Sequence, residues 1–172
     1  DYLTCGPAIP AFEKHLANMY IASMQLPQYA TSALHLAAIA LGVKPGDNVI
    51  CTPMTFASSA NCIRFCGGNV KFVDINPKTY LLDLDKLKET LESAPKGTYK
   101  GMVLVDFAGY PHNMEEYRKV ADEYGMWILE DACHAPGAYF IDSTGEKVFC
   151  GSGKYSDITV FSFSPRKTYY HR

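Results

Sequence analysis

Short apolar runs alternate along the chain with longer stretches in which apolar residues recur every three or four positions, which predicts strands and helices in turn. Strands are expected at 48–52, 70–73, 101–105, 126–129 and 158–163, each built from Val, Ile, Leu, Met or Phe and flanked by Gly, Asn, Asp or Pro. A first helix is expected after Pro10, where Phe12, Leu16, Met19 and Tyr20 share a face, followed by a short strand and loop over 23–29. In the next helix Thr31 or Ser32 is the expected cap, and Ala33, Leu34, Leu36, Ala37, Ile39, Ala40 and Leu41 are apolar almost all round before Gly42, which predicts burial on every side. A helix over 57–65 ends at Gly67 and Gly68, and Asp83 caps one carrying Leu87 and Leu91. Asn113 is the expected cap of a helix with Met114, Tyr117, Val120, Ala121 and Tyr124 on one face and Gly125 at its end. Only 138–156 breaks the rhythm, reading as two short strands, 139–141 and 147–149, around a turn at 142–146, a β-hairpin.

The expected fold is therefore α/β, a mainly parallel sheet with helices on both faces joined by right-handed crossovers. At 172 residues, 48% hydrophobic and 20% charged, the chain suits one soluble domain. A net charge of −2 without any basic run excludes a nucleic-acid surface, which needs clustered Lys and Arg. No apolar stretch approaches the roughly 20 residues that span a bilayer and no leader opens the chain, so a cytoplasmic protein without membrane contact is expected. Cys5, Cys51, Cys62, Cys66, Cys133 and Cys150 are read as reduced thiols. Cys62 and Cys66 lie one helical turn apart, but no second pair stands at zinc spacing, so they are assigned to the core and no metal is expected.

Candidate chemistry gathers where strands end, because ligands of open α/β sheets bind outside the carboxyl ends of the strands. The 126–129 strand runs into Glu130, Asp131, Ala132, Cys133 and His134; the 158–163 strand runs into Ser164, Pro165, Arg166 and Lys167. Pro165 stops that strand and leaves Lys167 on a rigid turn. Asp131, His134 and Lys167 are thus expected in one crevice, and an amine beside a carboxylate and an imidazole suggests a carbonyl cofactor. Glu130, one step from Asp131, is expected to point the other way. The amino terminus of the helix at Thr31 and Ser32 is either a seat for a phosphate or the start of an ordinary core helix.

Six segments in order carry a resemblance: 30–37 (ATSALHLA), 40–47 (ALGVKPGD), 53–61 (PMTFASSAN), 72–75 (FVDI), 130–137 (EDACHAPG) and 161–167 (FSFSPRK). Together they make the chain similar to the DegT/DnrJ/EryC1/StrS sugar aminotransferases, pyridoxal phosphate enzymes of fold type I. The resemblance implies that 1–172 is the large, cofactor-binding domain of an aspartate aminotransferase-like protein, without its amino-terminal arm and carboxy-terminal small domain. It implies pyridoxal 5'-phosphate as cofactor, bonded through its aldehyde carbon to Lys167, with Asp131 pairing the ring nitrogen, His134 beside the phenolic oxygen, Phe56 and Cys133 against the two ring faces, and Thr31, Ser32 and Ser162 around the phosphate. Lys167 would also carry the proton during amino transfer, and with Asp131 forms the catalytic pair. Substrates would be glutamate and a nucleotide sugar, the whole protein a homodimer. The segments 59–62 and 155–163 are most similar to the branch acting on UDP-linked 4-keto-6-deoxy amino sugars of pseudaminic acid synthesis. Three features depart from the family: Ser164 in place of His or Tyr, Gln28 and Tyr29 in place of a small Asn-rich turn, and the ending at 168–172. Two other readings remain open, a fold-type I enzyme acting on a free amino acid and a non-catalytic remnant serving as a binding module.

Overall fold

The computed structural model describes residues 7–20 and 30–163. In chain order its elements are α1 (Ala8–Tyr20), α2 (Ala30–Ala40), β1 (Asn48–Cys51), α3 (Ser58–Phe65), β2 (Asn69–Phe72), α4 (Leu84–Glu92), β3 (Tyr99–Val105), α5 (Met114–Tyr124), β4 (Trp127–Asp131), β5 (Tyr139–Ile141), β6 (Lys147–Phe149) and β7 (Ile158–Val160). The short strand expected within 23–29 and the turn bearing Lys167 lie outside the described residues.

Five strands form one parallel sheet in the order β2-β1-β3-β4-β7, and β5 and β6 pair antiparallel as the expected hairpin. The period of two along each central strand divides the core into two layers. Val49, Cys51, Val103, Val105 and Leu129 face α2 and α3, while Ile50, Met102, Leu104 and Ile128 face α4 and α5. Putting α3 on one face and α4 and α5 on the other is what right-handed crossovers produce when a chain first steps outward, from β1 to β2, and then returns. Leu34 and Leu87, each with no exposed surface, anchor the two layers, and burial of such a side chain contributes about 2 kcal/mol.

The expected helix α2 is present, but its burial is one-sided. Leu34, Ala37 and Ala38 are enclosed, whereas Leu36 is 60% exposed and Ile39 54%. A uniformly apolar helix cannot report which face the sheet takes. The helix also starts at Ala30, so Thr31 and Ser32 lie inside its first turn rather than at the cap. His35 is half-buried, its ring edge-on to Phe65 at 5.3 Å. Asp83 caps α4 as expected, its carboxylate accepting from the N–H groups of Asp85 and Lys86. Asn113 precedes α5 but makes no side-chain cap bond. At the other end of α5, Gly125 takes the left-handed conformation (φ 65°) that a residue with a Cβ adopts only at a cost. The last strand ends at Val160, three residues earlier than expected, and residues 161–163 leave the ladder. There Phe163 meets Phe12 of α1 edge-on at 5.2 Å.

Cys51, Cys62, Cys66, Cys133 and Cys150 are free thiols, and Cys5 lies outside the described residues. Among the described residues no helix is long and apolar enough to cross a membrane.

Candidate active site

The polar chemistry of the sheet concentrates at the carboxyl end of β4. Its register sets Asp131 beside Val105 of β3 on one side and Val160 of the edge strand β7 on the other. The pleat then sends Glu130 and Asp131 to opposite faces, as expected.

Asp131 faces the layer of α2 and α3 and is 5% exposed. Ser59 Oγ donates to its Oδ2 at 2.6 Å, and the Cys133 N–H donates to Oδ1 at 3.3 Å. Thr55 Oγ1 lies 2.7 Å from Ser59 Oγ. Among the described residues no Lys, Arg or His forms an ion pair with Asp131, so its charge is met by neutral donors alone. Two thiols stand near it. Burial, and then the Asp131 charge, pushes the Cys62 thiol up to about 12; burial, Cys62 and Asp131 together hold Cys51 higher still. Both remain protonated, so the wall behind the carboxylate is neutral. A buried carboxylate in a neutral wall is suited to a cationic partner.

The other candidates are distributed around this carboxylate. Cys133 is buried two residues on, its thiol 3.8 Å from the Val160 carbonyl. His134 follows on the surface, with its ring 6.5 Å from that of Phe107. Phe56 sits in the loop between β1 and α3 with 73% of its surface exposed, an aromatic ring presented to solvent. Ser162 is half-buried just beyond β7, the neighbour of β4. Thr31 and Ser32 are exposed in the first turn of α2. Because α2 ends shortly before β1 begins, its carboxyl end lies at the strands' amino ends and its first turn, roughly 16 Å away, at their carboxyl ends. Ala30 and Ala33 accordingly pack on the cluster that holds Val105, Cys133 and Val160. The loops carrying Phe56, Asp131, Cys133, His134 and Ser162 thus leave the same edge of the sheet, and α2 begins there. Lys167 lies outside the described residues.

Sequence reasoning missed the support behind Asp131. Thr55 and Ser59 are spaced i and i+4, the one available signal, but nothing in that spacing points to a carboxylate 72 residues downstream.

It also missed what surrounds Glu130. On the α5 face, Oε1 accepts from the Gly151 N–H at 3.1 Å, and Oε2 from Ser156 Oγ at 2.9 Å and Thr159 Oγ1 at 2.7 Å. Asp106 is also wholly buried, its Oδ1 bonded to the His112 N–H at 3.1 Å and to His112 Nδ1 at 2.9 Å. Burial first, and the Asp106 charge second, push the Glu130 carboxyl up to about 8. Ligand-type atoms of Asp106, Glu130 and Cys150 lie within 4.8 Å of one another. Burial, with the charges of Asp106 and Glu130 added, holds Cys150 as a neutral thiol. Burial and the Asp106 charge outweigh the three donors, which act to keep Glu130 ionised, and no thiolate is available, so the cluster fits a retained proton better than a cation.

Residues 1–170 match the DegT/DnrJ/EryC1/StrS aminotransferase family. The chain is 38% identical over 170 residues to the UDP-4-amino-4,6-dideoxy-N-acetyl-beta-L-altrosamine transaminase of Campylobacter jejuni serotype O:2, covering 97% of this chain and 42% of that protein. It is 32% identical over 168 residues to the 3-oxo-glucose-6-phosphate:glutamate aminotransferase of Bacillus subtilis, covering 96% and 34%. Among solved structures, NtdA from Bacillus subtilis with bound cofactor PMP superposes with a TM-score of 0.81 at 32% identity, covering 96% of this chain and 35% of that one. The structure of 3-amino-5-hydroxybenzoic acid synthase gives 0.78 at 30% identity, covering 92% and 39%. The chain thus spans between 34% and 42% of the length of these two curated relatives.

Proposed function

Because the chain belongs to the DegT/DnrJ/EryC1/StrS aminotransferase family, we propose that it is the cofactor domain of a pyridoxal phosphate-dependent transaminase passing an amino group from glutamate to C4 of a 4-keto-6-deoxy nucleotide sugar. The observation that carries this reading is Asp131, a buried carboxylate at the carboxyl edge of the sheet whose only described partners are neutral donors. That environment fits a protonated ring nitrogen, which brings the missing positive charge. The exposed ring of Phe56 fits the same group, because a planar ring laid on it would remove apolar surface from water.

When bound, the cofactor supplies an aldehyde that takes up amines and a protonated ring that withdraws electrons from the reacting carbon. The protein's own part is placement and proton handling. Asp131 would hold the proton on the ring nitrogen, Phe56 and Cys133 would pack against the ring, and His134 would pair with the phenolic oxygen. Thr31 and Ser32, with the positive end of α2, and Ser162 receive the phosphate. The Lys167 amine is the group that would hold the cofactor, and its Nζ would carry the proton during amino transfer.

The 38% identity to the Campylobacter jejuni transaminase supports a UDP-linked 4-keto-6-deoxy amino sugar, of the kind used in pseudaminic acid synthesis, as acceptor. The Bacillus subtilis relative, whose name specifies a 3-oxo sugar phosphate and glutamate, supports the donor and supplies the competing acceptor. The same reading makes the whole protein a cytoplasmic homodimer, for which the exposed Leu36 and Ile39 of α2 offer apolar surface to cover.

The test is to incubate the chain with pyridoxal phosphate, reduce with borohydride and locate the modified residue by mass spectrometry. Modification of Lys167 alone is expected. Labelling scattered over surface lysines, or none, overturns the reading, and 4-keto and 3-keto acceptors offered with glutamate then separate the two sugar classes.

A further inference from the structure

Ser59 has no exposed surface and stands in the first turn of α3, and its hydroxyl hydrogen is committed to Asp131 Oδ2 at 2.6 Å. An ionised carboxylate only accepts, so Ser59 is the donor in that bond. Having one hydrogen, it must be the acceptor in its 2.7 Å bond with Thr55, and the order is therefore Thr55 O–H to Ser59 Oγ, then Ser59 O–H to Asp131 Oδ2. The Cys133 N–H holds the second oxygen at 3.3 Å. Two donors on different oxygens, one from α3 and one from the loop after β4, fix the plane of the carboxylate.

Ser59 is also tied through its backbone to the aromatic residue Phe56. Phe56 follows Thr55 directly, and its carbonyl accepts the Ser59 N–H at 3.1 Å. Displacing Ser59 therefore moves the carboxylate and the backbone that carries the Phe56 ring together.

We infer that Ser59, with Thr55 behind it, is a positioning residue of the cofactor site: it aims Asp131 at the ring nitrogen and ties that aim to the placement of Phe56. This rests on the reading of Asp131 as the ring-nitrogen partner. The relay acts through Asp131 and touches no reacting atom. Its function is geometric, so a hydroxyl at position 59 is what matters, and threonine satisfies it where alanine does not.

The test uses pyridoxamine 5'-phosphate, which has no aldehyde and binds without Lys167. Its affinity for the chain and the 15N resonance of its labelled ring nitrogen are measured for the native chain, Ser59→Ala, Ser59→Thr, Thr55→Val and Asp131→Asn. Ser59→Ala is expected to weaken binding about tenfold, as loss of a hydrogen bond to a charged group does, and to move the ring-nitrogen resonance toward its unprotonated position. Ser59→Thr should restore both, and Thr55→Val should fall between. In the cofactor-free chain, the 13C resonance of the Asp131 carboxyl should move in Ser59→Ala and return in Ser59→Thr. Unchanged affinity and nitrogen resonance in Ser59→Ala, while Asp131→Asn loses binding, overturn the positioning role and leave the cofactor reading intact. Equal binding by Asp131→Asn and the native chain overturns the cofactor reading instead. A carboxyl resonance indifferent to Ser59→Ala overturns the positioning role whether or not the ligand binds.

Discussion

Glu130 and Asp131 are consecutive residues of one strand, differ by one methylene and are both almost wholly buried, yet the molecule treats them in opposite ways. Glu130 is closed in by an N–H and two hydroxyls, stands beside a second buried carboxylate, and is pushed toward its neutral form. Asp131 accepts from one hydroxyl and one N–H and has no cationic partner among the described residues. The pleat of β4 separates them, and each face then supplies its own chemistry. A carboxylate held by three donors and pushed toward its neutral form serves stability; one that keeps two neutral donors and no counter-charge among the described residues is available to a cationic ligand.

The sharpest way to break this contrast is Glu130→Ala. It removes the acceptor of three donors and leaves the Gly151 N–H and the hydroxyls of Ser156 and Thr159 facing a void. A loss of about 3 kcal/mol is expected in urea unfolding, at the upper range for a buried polar group left unsatisfied. Gly151→Ala comes next, at about 2 kcal/mol. The backbone there has φ +80°, and a Cβ would lie 2.2 Å from the Phe161 ring, so the clash adds to the left-handed penalty. Phe161 directly precedes Ser162, so this variant also tests whether strain on the Glu130 side reaches the cofactor side.

The third prediction concerns pH. Glu130 titrates near 4.5 when unperturbed and near 8 in the folded protein, so between these values the native state keeps a proton that the unfolded chain has released. Stability therefore falls as pH rises from about 4.5 to about 8, by at most about 1.4 kcal/mol per pH unit, and this contribution is fully present only below the lower value. Glu130→Gln, whose amide cannot ionise, should flatten that slope. Should the slope persist in the variant, the retained proton resides elsewhere.

Much of this organisation was legible in the sequence, for identifiable reasons. The period-two runs located the five parallel strands, and the same period predicted that Glu130 turns away from Asp131. Gly125 and Asp83 marked helix ends because their local chemistry is self-contained. Asn113 misled because its cap bond depends on a side-chain orientation that loop packing decides. Leu36 and Ile39 misled because a helix apolar on all sides carries no phase. The Ser59 bond to Asp131 and the meeting of Asp106, His112, Glu130 and Cys150 were not legible at all. They join residues from separate crossovers, and each position taken alone looks like an ordinary loop or helix residue.

The smallest expected effect on stability belongs to Asp131→Asn, and it decides the comparison. Asparagine keeps the shape of the side chain and one acceptor oxygen. With the amide nitrogen in the place of Oδ2, Ser59 turns to accept from it and donates back to Thr55, while the oxygen keeps the Cys133 N–H. In that orientation neither neighbouring donor is stranded, and removing a buried charge that has no ionic partner among the described residues returns some desolvation energy. The net change in unfolding free energy should stay within about 1 kcal/mol, whereas affinity for pyridoxamine 5'-phosphate should fall more than tenfold because the ring nitrogen loses its counter-charge. Glu130 substitutions should show the reverse, a large change in stability and a small one in affinity so long as the chain remains folded. If Asp131→Asn instead unfolds as readily as Glu130→Ala, both carboxylates are structural, and Asp131 is not a ligand site.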